Sequence, residues 1–577
     1  MLVALILLGF WFRFTNLTGK IFWVDEVSTA VRVSGYTVGG VAADLAQQGI
    51  VKRPVLESYQ TTNSGRSFGD SLAALRQSPE HAPLYFLLTR FWLQWRGNSL
   101  GIIRSLAVVF SLLVLPSLYW LCQELFNRSS ISWLAVGMIS ISPFHVAYAQ
   151  EARPYSLWTA AILLGGASLL RAMRLNNKSA WLLHSLCLAL SFYTSLFSIY
   201  IAAFQGLYLL LTLQPKRWLL LRNFVLSGLA ATLAFTPWIW VIMQHLGLLQ
   251  ENTSWMRGNF NLADIIAVYI GTNLLAFGDL PISPDSQPIQ IAIALLVIVL
   301  SLLIGVRFSS RWHNSYLKFA PLLLVTAVVT ILSQYIYLDW ITIIGALVAV
   351  GILSLSVYSL YYLITQTNRD RWLYLVCLML SLPLPLLIID IINQGQGSTA
   401  PRYLIPLQLG IIIAVAFTMG SKLNSNSGWK LSLNNLCQQK WQLIAIAMLM
   451  ISIYSCVRNL NLSPFYQKGR NVNNMAIASL INQSDSALVI GEESETMDVM
   501  SLAYSLKPEV SYKIITQQDS LTPYLTQFEH VFILKPSLQL KQKIKSDRQI
   551  VAQQIYRSRV FSDDEFPLDL WSLEIGL

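Results

Sequence analysis

The sequence predicts an all-α bundle that crosses a membrane many times and ends in a small soluble α/β domain. Of its 577 residues, 54% are hydrophobic and only 12% are charged, whereas soluble proteins carry about 25% charged residues. Apolar runs long enough to cross a bilayer recur along the chain. No soluble core can hide so many such runs, so the composition excludes a soluble protein.

The apolar runs predict about thirteen transmembrane helices, at roughly 20 residues each. The chain begins with one of them and shows neither a basic start nor a small-residue cleavage site, so we expect a retained signal-anchor. The predicted spans are 1–16, 104–122, 131–148, 154–171, 180–194, 196–213, 219–244, 288–306, 318–336, 340–364, 372–392, 403–420 and 441–457.

Lysine and arginine counts in the short loops orient these spans. With the N-terminus in the cytoplasm, the basic loops fall on the inner side of a plasma (inner) membrane, as the positive-inside rule requires. Three segments then lie outside: 17–103, 150–155 and 245–287. The first ends in an amphipathic stretch, HAPLYFLLTRFWLQW, which predicts an interfacial helix. The basic charge of the membrane part is explained by this topology and by lipid head groups, so no nucleic acid partner is expected.

The chain changes character after residue 457. Short β-type runs such as SALVIGE and HVFILKP alternate with helical ones such as MAIASLINQ, which predicts a small α/β domain. The sequence therefore divides into a membrane domain, 1–457, and an α/β domain outside the cytoplasm, 458–577.

An acidic pair, Asp25-Glu26, follows the aromatic anchor FW after the first span. Charges beside a bilayer are costly and often functional. A carboxylate here can take a proton from a hydroxyl or hold a divalent cation. The alternative is a solvated loop acid or a helix cap.

Two other outer segments carry arginine. Glu151 and Arg153 lie in AYAQEARPY, and Arg402-Tyr403 opens a late span in STAPRYLIP. Arginine grips phosphate with two hydrogen bonds. A surface Glu–Arg pair and an arginine that reaches lipid phosphate are the alternatives.

His81, in PEHAPLY, is either an ordinary loop or interfacial histidine or a ligand. Arg104, near the start of its span, can pair with an acid of the first loop. No Walker-type or G-x-G-x-x-G phosphate loop is present. A nucleotide-driven pump and a nucleotide-sugar enzyme of Rossmann type are therefore disfavoured.

In their order along the chain, these motifs resemble those of the GT-C membrane glycosyltransferases that use polyprenyl-phosphate sugars. The narrower similarity is to glycosyltransferase family 39, the protein O-mannosyltransferases and lipid A aminoarabinose transferases. WVDE, HAPLY, YAQEARPY and PRY carry the resemblance over about the first 420 residues. Ala82 departs from the pattern, because many relatives have a second proline there.

The resemblance implies a GT-C fold and a donor in which a mannose- or aminoarabinose-like sugar is carried on undecaprenyl or dolichyl phosphate. It also implies an inverting transfer, at the outer face of the membrane, to a hydroxyl of a protein, lipid or glycan. Asp25 and Glu26 would be the catalytic residues, with Asp25 as the general base, and Arg153, Arg402 and Tyr403 would bind the donor phosphate. Glu151, Tyr155, His81 and Arg104 would shape the acceptor side. No cofactor is required, although Asp25 and Glu151 could hold a divalent cation.

Three alternatives remain at this stage. The first is a transporter or lipid-linked sugar flippase without transferase activity. The second is a glycan polymerase or oligosaccharyltransferase with the same fold and another donor. The third is an inactive scaffold that binds a partner through its terminal domain.

Overall fold

The computed structural model describes residues 2–212, 218–279, 340–423, 436–462, 470–547, 549–557 and 568–575. Within these ranges the molecule is a bundle of helices, many of them apolar, joined to one six-stranded sheet. This confirms the predicted fold class of a multi-pass helical membrane protein with an α/β region near its C-terminal end. Helices and strands are numbered below in chain order through the described residues.

The chain opens with one short apolar helix, and the first loop, residues 17–103, follows it. The elements of this part are α1 (Leu2–Phe14), α2 (Val24–Val33), α3 (Val38–Gln47), β1 (Val51–Lys52), α4 (Arg53–Ser58), α5 (Phe68–Arg76) and α6 (Leu84–Arg96). Side chains fix the starts of two of them. Thr37 accepts the Gly40 N–H at the start of α3, and Ser67 and Asp70 cap each other's backbone at α5.

The amphipathic helix predicted at the end of the first loop is present as α6. It buries Tyr85, Phe86 and Leu93 and exposes Phe91 and Trp95. The buried face packs against α2 and α7, so the first loop is a folded layer rather than a flexible connection. Arg90 on the buried face donates to the Val33 carbonyl at the end of α2 (2.9 Å), which satisfies a helix terminus inside the protein.

The membrane part contributes two groups of helices on either side of residue 300. The first group is α7 (Leu100–Phe126), α8 (Ser129–Ser140), α9 (Pro143–Ala149), α10 (Tyr155–Leu175), α11 (Lys178–Thr194), α12 (Ser198–Thr212), α13 (Trp218–Gln244), α14 (Leu246–Asn252) and α15 (Leu262–Leu275). The second group is α16 (Trp340–Gln366), α17 (Arg369–Leu380), α18 (Pro383–Asn393), α19 (Ile405–Leu423) and α20 (Leu436–Asn461).

Within the described ranges, seven helical segments are long and apolar enough to cross a membrane, or eight if a bent pair counts as one span. The predicted number of about thirteen is therefore not confirmed. The spans predicted at 1–16, 180–194 and 196–213 are helices of 13, 17 and 15 residues, shorter than a straight crossing needs. The spans predicted at 288–306 and 318–336 lie outside the described residues.

The span predicted at 131–148 is broken into α8 and α9, which meet at 62°. Pro143 begins α9, and a proline there removes a backbone donor and disfavours helical geometry at the preceding residue. The buried guanidinium of Arg13, in the last turn of α1, donates to the Ser140 carbonyl and to the Ile139 carbonyl (3.1 Å). The break therefore has partners for the backbone groups that it leaves without intrahelical bonds.

The centre of the bundle is packed around α19, in which every residue from Gln408 to Gly420 is buried. Among the described helices, α7 and α10 form the most extensive contact. Helices α10 and α17 approach each other closely at Gly166, where a side chain would not fit. A Cβ atom on Gly166 would lie 1.9 Å from the Tyr374 hydroxyl oxygen. By contrast, α13 exposes large apolar side chains such as Leu233 and Trp240, as expected of a helix that faces lipid.

The described residues from 470 onward form an α/β layer, called the C-terminal layer below. Its elements are α21 (Asn474–Ile481), β2 (Ala487–Glu492), α22 (Thr496–Ala503), β3 (Ser511–Ile515), α23 (Thr522–Gln527), β4 (His530–Leu534), α24 (Leu538–Ser546), β5 (Ile550–Tyr556) and β6 (Leu570–Ile575). The strand order is β1-β3-β2-β4-β6-β5, with a parallel centre, β3-β2-β4, and antiparallel edges. Strands β2 and β3 are wholly buried, as parallel strands covered on both faces usually are.

One edge of this sheet comes from the first loop. Strand β1 pairs with β3, with Val51 opposite Tyr512. Apolar residues of both parts share one core, including Trp23, Leu45, Met500 and Phe532. The domain division at residue 457 stays a prediction, and the sheet and its core extend across it.

We expect Lys513, on β3, to help hold the first loop against the C-terminal region. Its buried ammonium donates to the Ala46 carbonyl (2.8 Å) and the Gln48 carbonyl (2.6 Å) at the end of α3. Lys513→Met removes two hydrogen bonds to a charged group, each of which contributes about 1.5–3 kcal/mol. Limited proteolysis of the solubilised protein should show cleavage within residues 48–67 several-fold faster than in the wild type.

Lys543→Met is the matched control. The exposed Lys543 also donates to two carbonyls, those of Gln517 (2.9 Å) and Asp519 (2.8 Å), but both belong to the C-terminal layer. Equal cleavage rates for the two variants would show that Lys513 does not hold the first loop.

Candidate active site

The acidic pair lies in the first turn of α2, which begins directly after Trp23. Negative side chains stabilise a helix N-terminus because the backbone dipole is positive there. Successive residues of a helix point about 100° apart, so Asp25 and Glu26 face different surroundings. Asp25 has 30% of its side chain exposed, whereas Glu26 is almost wholly buried at 1%.

Glu26 forms a buried ion pair with Arg104, near the start of α7. Arg104 Nη2 and Nε donate to the two carboxylate oxygens at 2.6 and 2.8 Å. The Ala152 N–H also donates to Glu26 Oε1 (2.8 Å). These contacts favour a positioning role for Glu26 over the catalytic one predicted from the sequence, because protein donors already occupy its carboxylate.

Arg104 extends this pair to the polypeptide before α2. Its guanidinium donates to the carbonyls of Leu17 (2.7 Å), Lys20 (3.1 Å) and Ile21 (2.8 Å). The pairing of Arg104 with an acid of the first loop, expected from the sequence, is thus present. One arginine joins the end of α1, the start of α2 and the 150–154 segment into one unit.

Asp25 faces Arg153, which follows the broken span. The shortest distance between their charged atoms is 3.6 Å, from Arg153 Nη2 to Asp25 Oδ2. Arg153 Nη1 also donates to the Thr29 hydroxyl oxygen (3.1 Å), one turn further along α2. The guanidinium lies near the rings of Phe86 and Tyr155, about 6 Å from each centroid. Arg153 is therefore held at one place beside Asp25 by several weak contacts.

Glu151 lies in the same segment and is 3% exposed. Its Oε1 accepts the indole N–H of Trp23 (3.1 Å). The neighbouring Gln150 donates to the carbonyls of Phe12 and Thr15, both at 2.8 Å. The 150–154 segment is thus fixed against the end of α1 and the start of α2, and this brings Glu151 and Arg153 to Asp25.

Arg402 and Tyr403 lie in a short 3₁₀ turn, Pro401–Leu404, before α19. The Arg402 guanidinium lies against the rings of Trp255 (5.5 Å) and Tyr403 (5.1 Å). In the part of the chain that the structure describes, no carboxylate forms a salt bridge with it. Its charge contributes to lowering the pKa of His81, which places the turn before α19 within electrostatic reach of the first loop.

A buried acid fixes the backbone of the residues that precede this turn. Asp390, at the end of α18, accepts the backbone N–H groups of Gly397 (2.9 Å) and Ser398 (2.6 Å). The Gln396 N–H donates to the Met256 carbonyl (3.0 Å). Asp390 therefore has a structural function, and the 245–287 segment contributes Trp255 to the site through these contacts.

His81 is stacked on Phe86, with 5.2 Å between ring centroids. Burial, and then the charges of Arg32, Arg153 and Arg402, lower the pKa of His81 well below its ordinary value. The Glu80 carboxylate lies 3.5 Å from the ring, but burial and the three guanidinium groups oppose protonation. His81 is therefore a neutral group.

Sequence reasoning missed three contributors. Arg32 donates to the Ser78 hydroxyl oxygen (2.9 Å) and places a third guanidinium in the site. Glu80 accepts from the Asn252 amide (3.0 Å), and Trp255 faces Arg402. The one available signal was the spacing of Arg32, seven residues after Asp25 and so on the same side of α2.

The site combines a partly exposed carboxylate with three converging guanidinium groups. Such an arrangement suits a proton acceptor beside a bound anion. In the described ranges no three His, Cys, Asp or Glu side chains are grouped as a metal site would require. The binding of a divalent cation by Asp25 and Glu151 stays a prediction.

Residues 80–240 match the family model described as dolichyl-phosphate-mannose-protein mannosyltransferase. This confirms the resemblance to the GT-C glycosyltransferases over a segment that contains His81, Glu151 and Arg153. No curated protein matches the chain.

Three solved structures are among those similar to this one. ArnT from Cupriavidus metallidurans bound to undecaprenyl phosphate has 12% identity and a TM-score of 0.46, over 99% of this chain and 97% of that chain. The same protein in the apo state has 11% identity and a TM-score of 0.47, with the same coverage. The Archaeoglobus fulgidus oligosaccharyltransferase in the apo form has 13% identity and a TM-score of 0.45, over 88% of this chain and 64% of that chain.

We expect the Glu26–Arg104 pair to be essential for folding. Arg104→Gln leaves a buried carboxylate without its partner, which costs about 3–5 kcal/mol. The variant should give little monodisperse protein on size-exclusion chromatography after extraction, and a lower midpoint of thermal inactivation.

Arg174→Gln provides the comparison. Arg174 also makes two hydrogen bonds to one carboxylate, that of Glu124, at 2.9 Å each, but 57% of its side chain is exposed. The Glu124 side chain is only 7% exposed, but it keeps the Trp120 indole as a donor (3.2 Å). An ion pair with a solvent-exposed arginine contributes about 0–1 kcal/mol, so this variant should lose much less stability than Arg104→Gln. If both variants are equally stable, the buried pair is not the anchor described here.

The neutral state of His81 predicts a pH dependence of stability. The folded protein disfavours the protonated form, whereas the unfolded chain binds a proton near the ordinary pKa of about 6.5. Stability should therefore fall as the pH drops below about 6.5, and the loss continues down to the lower folded pKa. His81→Gln removes this contribution. Between pH 8 and pH 5 its thermal midpoint should fall less than that of the wild type, and identical slopes would contradict the assignment.

Proposed function

We propose that this protein is a membrane glycosyltransferase that moves a sugar from a polyprenyl-phosphate donor to an acceptor hydroxyl. The observation that carries the proposal is the placement of Asp25, a partly exposed carboxylate 3.6 Å from Arg153, in a site that Arg402 and Arg32 also reach. The family model that matches residues 80–240 is named for a transferase with a polyprenyl-phosphate sugar donor, which supports this donor class.

In the proposed reaction, the acceptor oxygen attacks the anomeric carbon from the side opposite the phosphate. Its proton passes to Asp25 as general base. The bond between the anomeric carbon and the phosphate oxygen breaks through an oxocarbenium-like state, and the electron pair leaves with the phosphate. One displacement inverts the anomeric centre.

The arginines act on the leaving group. Negative charge grows on the phosphate as the bond breaks, and preorganised guanidinium groups stabilise that charge more than they stabilise the ground state. Arg153 and Arg402 supply this, and Tyr403 keeps the Arg402 guanidinium in place through its ring face. Glu151, Tyr155 and the neutral His81 shape the acceptor side. Glu26 and Arg104 position α2, and no step is assigned to a divalent cation.

The proposal includes a location. The site lies where the first loop meets the ends of the apolar helices, so a lipid tail can remain in the membrane while its phosphate reaches Arg402. We propose a plasma (inner) membrane protein with a cytoplasmic N-terminus and with the site and the C-terminal region outside. The distribution of lysine and arginine among the short loops supports this orientation.

The test is transfer from radiolabelled polyprenyl-phosphate mannose by the full chain reconstituted in liposomes, with peptide, lipid and glycan acceptor pools. Asp25→Asn removes the base and should lower the rate by about 10²–10⁴-fold. Arg402→Ala should lower kcat by about 10²–10³-fold, because it removes a charge that stabilises the leaving group.

Asp70→Asn is the matched control. Asp70 is an exposed acid of the same loop that caps α5, and its variant should transfer sugar at the wild-type rate. Transfer at the wild-type rate by Asp25→Asn would refute its role as base. Translocation of the lipid-linked sugar without transfer would favour the transporter alternative.

A further inference from the structure

Residues of the C-terminal layer bind the segment that carries Asp25. Helix α2 starts without a side-chain cap from its own N-cap residue, Trp23, so its first N–H groups need other partners. Asn471, 447 residues further along the chain, supplies one. Its side-chain carbonyl accepts the Val24 N–H at 2.9 Å, directly before the acidic pair.

Asn471 is itself fixed in the C-terminal layer. It is 0% exposed, and its amide donates to Asp498 Oδ1 on α22 (3.1 Å). The Asp498 carboxylate is in turn held by Arg470, whose Nε lies 3.0 Å from both oxygens. A buried amide between two fixed groups has one orientation, so its carbonyl is aimed at α2.

Arg470 is also close enough to act on the site electrostatically. Burial opposes its charge, but the carboxylates of Asp498 and Glu495, and then that of Asp25, raise the pKa of Arg470 above its ordinary value. Arg470, which pairs with Asp498 and Glu495, is therefore also within electrostatic reach of Asp25.

A second contact fixes the residues before Asp25. The Ser501 hydroxyl, on α22, donates to the Phe22 carbonyl at 2.6 Å, and it accepts from the Asn474 amide at 3.0 Å. The Trp23 indole is bound on the other side by Glu151. Phe22, Trp23 and Val24 thus lie between α22 and the 150–154 segment, and this sets the position of Asp25.

We propose that the C-terminal layer contributes to the transferase site, because its Asn471 is a positioning residue for Asp25. The inference rests on the proposed function, because it assigns the layer to that same reaction. A general base must be within hydrogen-bonding distance of the proton it removes. Loss of the Asn471 contact lets the first turn of α2 shift or fray, and a displacement of about 1 Å can cost up to 10²-fold in rate.

The test compares Asn471→Ala with Asn482→Ala in the reconstituted full chain. Asn482 makes the same kinds of bond, accepting the Lys507 N–H (2.9 Å) and donating to the Ser505 carbonyl (3.2 Å), but within the C-terminal layer alone. Asn471→Ala should lower kcat with polyprenyl-phosphate mannose about tenfold, with KM changed less than about twofold. Asn482→Ala should leave both constants unchanged.

A readout independent of activity separates the two proposals. Hydrogen–deuterium exchange of residues 22–33 should be faster in Asn471→Ala and unchanged in Asn482→Ala. If the wild type transfers no sugar, the proposed function fails, and faster exchange in Asn471→Ala still supports the positioning contact. Unchanged exchange, or faster exchange with an unchanged kcat, would overturn the inference.

If Asn471→Ala does not fold, Ser501→Ala serves instead. It removes one hydrogen bond to the Phe22 carbonyl and should lower kcat by roughly two- to fivefold, less than Asn471→Ala, because the Asn471 contact to Val24 remains. A wild-type kcat in Ser501→Ala would also count against the inference.

Discussion

The site depends on one buried ion pair, Glu26 with Arg104. Two charges removed from water are costly unless their remaining hydrogen bonds are satisfied. Here they are, because the guanidinium also meets three carbonyls of the 17–21 segment and the carboxylate also accepts the Ala152 N–H. The pair fixes α2 against α7 and the 150–154 segment. The neighbouring Asp25 is not part of this pair: 30% of its side chain is exposed, and it faces Arg153.

The site uses positive charge from parts of the chain that are far apart in sequence. Arg32 comes from the first loop, Arg153 from the 150–154 segment, and Arg402 from the turn before α19. Neutral groups help to hold each of them, such as the Ser78 and Thr29 hydroxyls and the ring of Trp255, and Arg153 also pairs with Asp25 at 3.6 Å. Guanidinium groups that converge in this way suit an anionic ligand.

The sequence predicted the fold class and most of the acidic and basic residues of the site, because charges at the ends of apolar runs are conspicuous. It did not separate the roles of Asp25 and Glu26, since adjacent acids differ only in the partners that tertiary packing provides. Arg32 and Asn471 were missed for the same reason. The number of spans was less predictable, because Pro143 breaks one apolar run and several others form helices shorter than a bilayer crossing.

The shared sheet has a consequence for biosynthesis. Asn471 reaches Val24 across 447 residues, and β1 pairs with β3 of the C-terminal layer. Contacts between such distant residues form only after most of the polypeptide has left the ribosome. During translation the first loop therefore has an uncovered strand edge and an uncapped helix. A nascent or prematurely terminated chain can insert its membrane helices while the segment that carries Asp25 still lacks its C-terminal partners.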